Sequence, residues 1–111
     1  MATVELHDHD RLDGASNYVI WKARMSFLLD EFALKAYIDN VVVVPRDADL
    51  LKEYRKEMAR VKRLIVDGVR DHVVSHIAGK DTAKQMWDAL ATLYQGTFEQ
   101  WKMYQIGRAH V

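Results

Sequence analysis

The chain is 111 residues long, with 16 basic and 16 acidic side chains, no cysteine and half of its residues apolar. That length supports one compact core but not two, and 29% charge with a mean hydropathy of −0.25 excludes extended disorder as the global description. The lack of cysteine removes disulfides, thiolate-bound metals and a thiol nucleophile, leaving histidine and carboxylate as ligands for any metal. No apolar run approaches the ~20 residues that span a bilayer, so no membrane partner is expected. Residues 1 to 10 carry acids and histidines where a signal peptide has a basic segment followed by an apolar one. Residues 1–50 hold nine acids and five bases, and residues 51–111 hold seven acids and eleven bases. The two halves are therefore −4 and +4, an asymmetry suited to packing between copies but short of the basic excess of a dedicated nucleic-acid binder.

The first eleven residues show no period and read as a flexible arm, after which Gly14-Ala15-Ser16-Asn17 prepares a helix start. From Tyr18 the large apolar residues Trp21, Met25, Leu28, Leu29 and Phe32 keep to one face of a 3.6-residue period, with Lys22, Arg24, Ser26 and Asp30 on a polar face toward water. Ser16 or Asn17 is placed to cap the first-turn amides. Residues 33–38 suit a short second helix. Asp39-Asn40 is a turn signal, and Val41 to Val44 before Pro45 form an extended connector, some of whose valines cover the core. With Asp47 and Asp49 at its start, a long third helix follows through Leu50, Leu51, Tyr54, Met58, Val61, Leu64, Ile65, Val69, Val73 and Ile77 to Gly79, which fits a left-handed residue past a helix end. Glu53 with Lys56 and Glu57 with Arg60 sit three apart on its solvated side. Gly68 costs ~1 kcal/mol relative to alanine inside a helix, so it signals either a close neighbour or a bend.

Asp81 or Thr82 can cap a fourth helix with Ala83, Met86, Trp87, Leu90, Leu93 and Tyr94 on its apolar face. Beyond Gly96 another apolar stretch, from Phe98 through Trp101 and Tyr104, stops without a cap, as if cut inside an element. Residues 106–111 look like a translated sequencing-library adapter, and are set apart from the domain at 12–105. The expected fold is all-α, a small bundle of four to five helices.

Two segments carry a family resemblance. Leu12, Gly14, Asn17, Tyr18 and Trp21 resemble the Leu-x-Gly-x-Asn-Tyr-x-x-Trp opening of copia-type LTR-retrotransposon gag proteins, with one extra residue between Gly14 and Asn17, and Met25 and Leu28-Leu29 follow as in that family. Further on, Thr82, Ala83, Trp87, Leu90 and Tyr94 keep the family's Thr-Ala-x-x-x-Trp-x-x-Leu-x-x-x-Tyr spacing. Residues 100–103 are similar to a polar stretch of plant members, with Trp101 where arginine is common. The resemblance covers residues 11–105. It implies the N-terminal region of a capsid-forming gag polypeptide that self-associates into a cytoplasmic virus-like particle, with a nuclear location as the alternative. The element's RNA would be held mainly by downstream regions such as a zinc knuckle, which a cysteine-free chain does not contain.

Candidate chemistry is sparse. His7-Asp8-His9-Asp10 alternates imidazoles and carboxylates in the arm, and His72 and His76 lie one helical turn apart, but the glutamate of a zincin helix is replaced by Val73. No phosphate loop, serine elbow or paired catalytic carboxylate is present, so neither an enzyme, a cofactor nor a small-molecule substrate is expected. The best nucleic-acid candidate is the cluster Arg55, Lys56, Arg60, Lys62 and Arg63, which helical spacing brings to one side, although no aromatic residues interleave with it for base stacking. Trp21 and Trp87 are read as core anchors, each able to bury ~150–250 Å². Two further functions fit less well: a domesticated gag-like module that binds another protein, and a small histidine-metal enzyme built on His72 and His76.

Overall fold

A computed structural model describes residues 10–95. The greater part of the arm, the stretch from Gly96 and residues 106–111 lie outside the described residues, as do His7 to His9 and Trp101. Within them the fold is all-α, as expected: a 3-10 turn at Ala15–Asn17, then α1 (Tyr18–Glu31), α2 (Ala36–Asp39), α3 (Ala48–Asp67), α4 (Asp71–Ile77) and α5 (Ala83–Leu90), ending in a π-helical turn at Ala91–Gln95. No strand occurs among the described residues. A single parallel bridge joins Leu12 to Val69. The short α5 packs against α2, α3 and α4, and the buried faces of α1 and α3 close the core around it.

Local chemistry explains most boundaries. Asp47 accepts from the amides of Asp49 and Leu50 at 3.1 and 3.0 Å, which caps α3. Thr82 does the same for α5 by accepting from the Gln85 amide at 3.1 Å, while the Gln85 side chain reaches back to the Asp81 amide at 2.9 Å. Asn17 does not cap the first turn of α1 as its position suggests. Its side-chain oxygen turns backward to accept from the amides of Asp13 and Gly14, and its amide nitrogen donates to the Arg11 carbonyl at 2.8 Å. Asp10 and Arg11 are thereby drawn out of the arm, and Asp10 also pairs with Arg24.

The second helix begins at Ala36 rather than Ala33 because Ala33 terminates α1. It adopts a left-handed conformation with φ 59°, its amide donates to Asp30 at 3.0 Å, and the next amide, of Leu34, donates to Leu29 at 2.8 Å. This is the glycine-type helix stop, and it swings Leu34 into the core. Gly79 has no such role, since no described glycine is in the left-handed region; α4 stops at Ile77 and the Lys80 amide returns to the Ile77 carbonyl at 3.1 Å. Of the four connector valines only Val42 packs on the core; Val41, Val43 and Val44 are exposed. Glu57 and Arg60 form cross-helix contacts rather than a solvated pair. Glu57 accepts from the Tyr37 hydroxyl of α2 at 2.7 Å, and the Arg60 guanidinium lies 4.9 Å from the Phe32 ring centroid.

The expected long third helix is two helices. At Gly68 the chain leaves the α3 axis, and α4 restarts at Asp71. The Gly68 carbonyl, which a continuous helix would direct to the amide four residues on, instead accepts from the Leu12 amide at 2.9 Å, and the Arg70 amide donates to the Leu12 carbonyl at 3.0 Å. Leu12 is thereby held fully buried between the two helices.

A left-handed alanine costs about 1–2 kcal/mol relative to glycine. Ala33→Gly should therefore raise stability by about 1 kcal/mol, read as a higher urea midpoint at unchanged slope. A loss of stability, as at an ordinary helical alanine, would contradict this helix stop.

Candidate functional site

The two resembling segments, residues 12–29 and 81–94, meet in space. Tyr18, Trp21, Met25 and Leu29 form the buried face of α1; Ala83, Met86, Trp87 and Leu90 form that of α5. The Trp21 and Trp87 rings lie 5.4 Å apart at 33°, Tyr18 stacks on Trp21 at 6.2 Å, and Tyr94 closes on Tyr18 at 5.8 Å. One aromatic row thus runs through both segments at separations that favour offset and tilted rings. Leu28 is half-buried at its edge and Gly14 sits in the loop that Asn17 ties down. The Ala83 amide, buried at the start of α5, faces the Met58 sulfur at 3.2 Å.

Polar groups in this core are tuned by burial. Desolvation, assisted by the Asp88 carboxylate, pushes the Tyr18 phenol up to about 12, and desolvation with the Glu57 hydrogen bond does the same for Tyr37. Because these phenols ionise near 10 in the unfolded chain, their contribution is complete below pH 10 and is lost as pH rises toward 12.

The hinge of the site is Gly68, whose part as an acceptor the sequence does not reveal. Trp21 donates its indole N–H to the Gly68 carbonyl at 2.7 Å, the same oxygen that receives the Leu12 amide. A Cβ on Gly68 would stand 2.5 Å from the Met25 terminal methyl, 3.2 Å from the Leu64 carbonyl and 3.4 Å from Trp21 Nε1. With φ −87° the backbone itself suits any residue, so glycine is needed here for the approach of α1, not for its dihedral freedom. The close neighbour and the bend, separate readings of this glycine in the sequence, occur together.

The basic residues of α3 fan across its outer side. Arg55 and Lys56 are exposed, but Lys62 reaches the Asp81 carbonyl at 3.2 Å, Arg63 pairs with Asp67 at 2.8 Å, and Arg60 covers Phe32. Three of the five thus serve local contacts. On α4 both His72 and His76 are exposed; His72 places Nε2 2.7 Å from the Asp13 carbonyl and clips the Leu12 loop. A cleft of ≈ 380 Å³ beside His72 is lined by Arg11, Arg70 and Asp71, a mixed-charge set. Among the described residues no group of three or more histidine, cysteine or carboxylate side chains could hold a metal ion, and no helix is long and apolar enough to cross a membrane.

The outer side of α1 differs from its sequence reading. Arg24 and Asp30 do face outward, but so do Val19, Ile20 and Phe27, at 66%, 59% and 76% exposure.

Comparison of the chain with protein-family models, curated proteins and solved structures finds no match.

Gly68→Ala should cost ~1–3 kcal/mol through overpacking, and Met25→Leu, which removes the crowding terminal methyl, should reduce that penalty by at least about half in a double-mutant cycle. Additive penalties in urea melts would mean that α1 and Gly68 are not in contact.

Proposed function

We propose that this chain is the N-terminal part of a copia-type retrotransposon gag capsid protein, an assembly scaffold without catalytic activity. The observation that carries the reading is the meeting of the two resembling segments. Residues 12–29 and 81–94 are far apart in sequence, yet their shared aromatic positions form one continuous row and supply much of the core. Most of the residues that carry the resemblance are thus among those that hold the core together, as a family's structural motif requires.

On this reading the domain's task is to present rigid helical surfaces to further copies of itself. RNA is packaged mainly through regions downstream, with Arg55 and Lys56 the residues of the α3 cluster best exposed to touch it weakly. The particles are cytoplasmic, with a nuclear location as the alternative, and no cofactor, membrane or small-molecule substrate is required.

The test is to extend the chain along its own genomic reading frame, express the product and examine it by negative-stain electron microscopy and nuclease protection. Regular particles that shield the element's transcript are expected. A product that remains monomeric and free of RNA would contradict the proposal.

A further inference from the structure

The inner face of α1 is committed to the core through Tyr18, Trp21, Met25 and Leu29. Val19, Ile20, Ala23 and Phe27 occupy an arc of about 100° on the other side, at the ~100° per residue of an α-helix. All four are exposed. An apolar face this exposed is a candidate packing surface, and among the described residues only the inner face of α1 is covered. α3 is built differently: its outward side carries Lys52, Arg55, Lys56 and Arg63.

We propose that this outer face is a homodimer contact, in which α1 packs antiparallel against α1 of a second copy about a two-fold axis at Ala23. The proposal deepens the assembly reading and rests on it for the partner being another copy of the chain. Two features favour that occupant and that direction. The first is charge. α1 has no acidic residue in its first turn and no basic residue in its last, while Asp30 and Glu31 sit at its C-terminal end, where the helix dipole disfavours them. An antiparallel copy brings each acidic end beside the unmatched N-terminus of the other, reversing that penalty. The second is shape. Ala23 is small and central, with Val19 and Ile20 on one side and Phe27 on the other, so an axis at Ala23 lays each Phe27 against Val19 of the other copy and lets the backbones approach. Lys22 and Arg24 emerge on opposite flanks, and Arg24 is already paired with Asp10. An isologous contact of this kind is self-complementary and closes at two copies.

The absence of cysteine gives a clean test. Sedimentation velocity on the 111-residue chain from 1 to 100 μM should show a concentration-dependent dimer. Phe27→Glu should weaken association at least ~10-fold at unchanged helical circular dichroism, and Val43→Glu, on the exposed connector, should leave it intact. Under mild oxidation Ala23→Cys should cross-link to a covalent dimer and Val43→Cys should not. A monomer throughout the range, or a dimer that persists in Phe27→Glu, would overturn the proposal. The two readings fail separately: a dimer lost in Phe27→Glu, with no particles from the extended reading frame, removes the capsid function and leaves this contact standing. Particles that assemble unaltered in Phe27→Glu would remove the contact and leave the function.

Discussion

One backbone oxygen organises the bundle. The Gly68 carbonyl receives both the Trp21 indole N–H and the Leu12 amide, and by doing so it leaves the helical ladder and lets the chain turn from α3 into α4. A buried carbonyl with two donors at 2.7 and 2.9 Å is fully satisfied, and either donor left without it would be a polar group stranded in the core at about 1–3 kcal/mol. Three separate parts of the sequence are fixed by this one acceptor: the loop before α1, the first turns of α1 itself, and the break between α3 and α4. Once Trp21 is held there, its ring is presented to Trp87, and the position of α5 follows.

The interaction needs glycine for a steric reason. Since a side chain on Gly68 would run into Met25 and crowd Leu64 and Trp21, the residue at which α3 ends is also what lets α1 approach. As the C-cap of α3, Gly68 does not carry the interior helix penalty, and its lack of a side chain lets Trp21, Met25 and Leu12 be buried.

Much of this was legible from the residues. The 3.6-residue period placed α1 and α5 and their buried faces, Asp47 and Thr82 marked helix starts, and Gly68 stood out as a glycine within an apolar pattern. What the pattern hid depended on tertiary partners. An unbroken apolar period runs through Gly68 because both α3 and α4 bury the same kind of face, and only the arrival of Leu12 at that carbonyl separates them. Ala33 gave no sign of a helix stop because the left-handed region is ordinarily glycine's, and here it is imposed by the burial of Leu34. The second face of α1 was hidden by its first: Val19, Ile20 and Phe27 lie among polar residues and break no rule of the inner periodicity. The basic cluster lies along α3, but sequence does not show that Arg60, Lys62 and Arg63 are engaged with Phe32, Asp81 and Asp67.

The proposed scaffold role rests on the same constraint. Among the described residues His72 serves as a clip for the Leu12 loop, while the ordered feature of the domain is the rigid aromatic row that fixes α1 with one face in the core and another outside. The most direct measurement is hydrogen exchange of the Trp21 indole and the Leu12 amide, followed by NMR on the folded protein. If both are donors to Gly68 they exchange only through global unfolding, with the slowest amides of α1 and α5. Exchange of either within minutes at neutral pH, while those helices stay protected, would show that this carbonyl does not hold the bundle together.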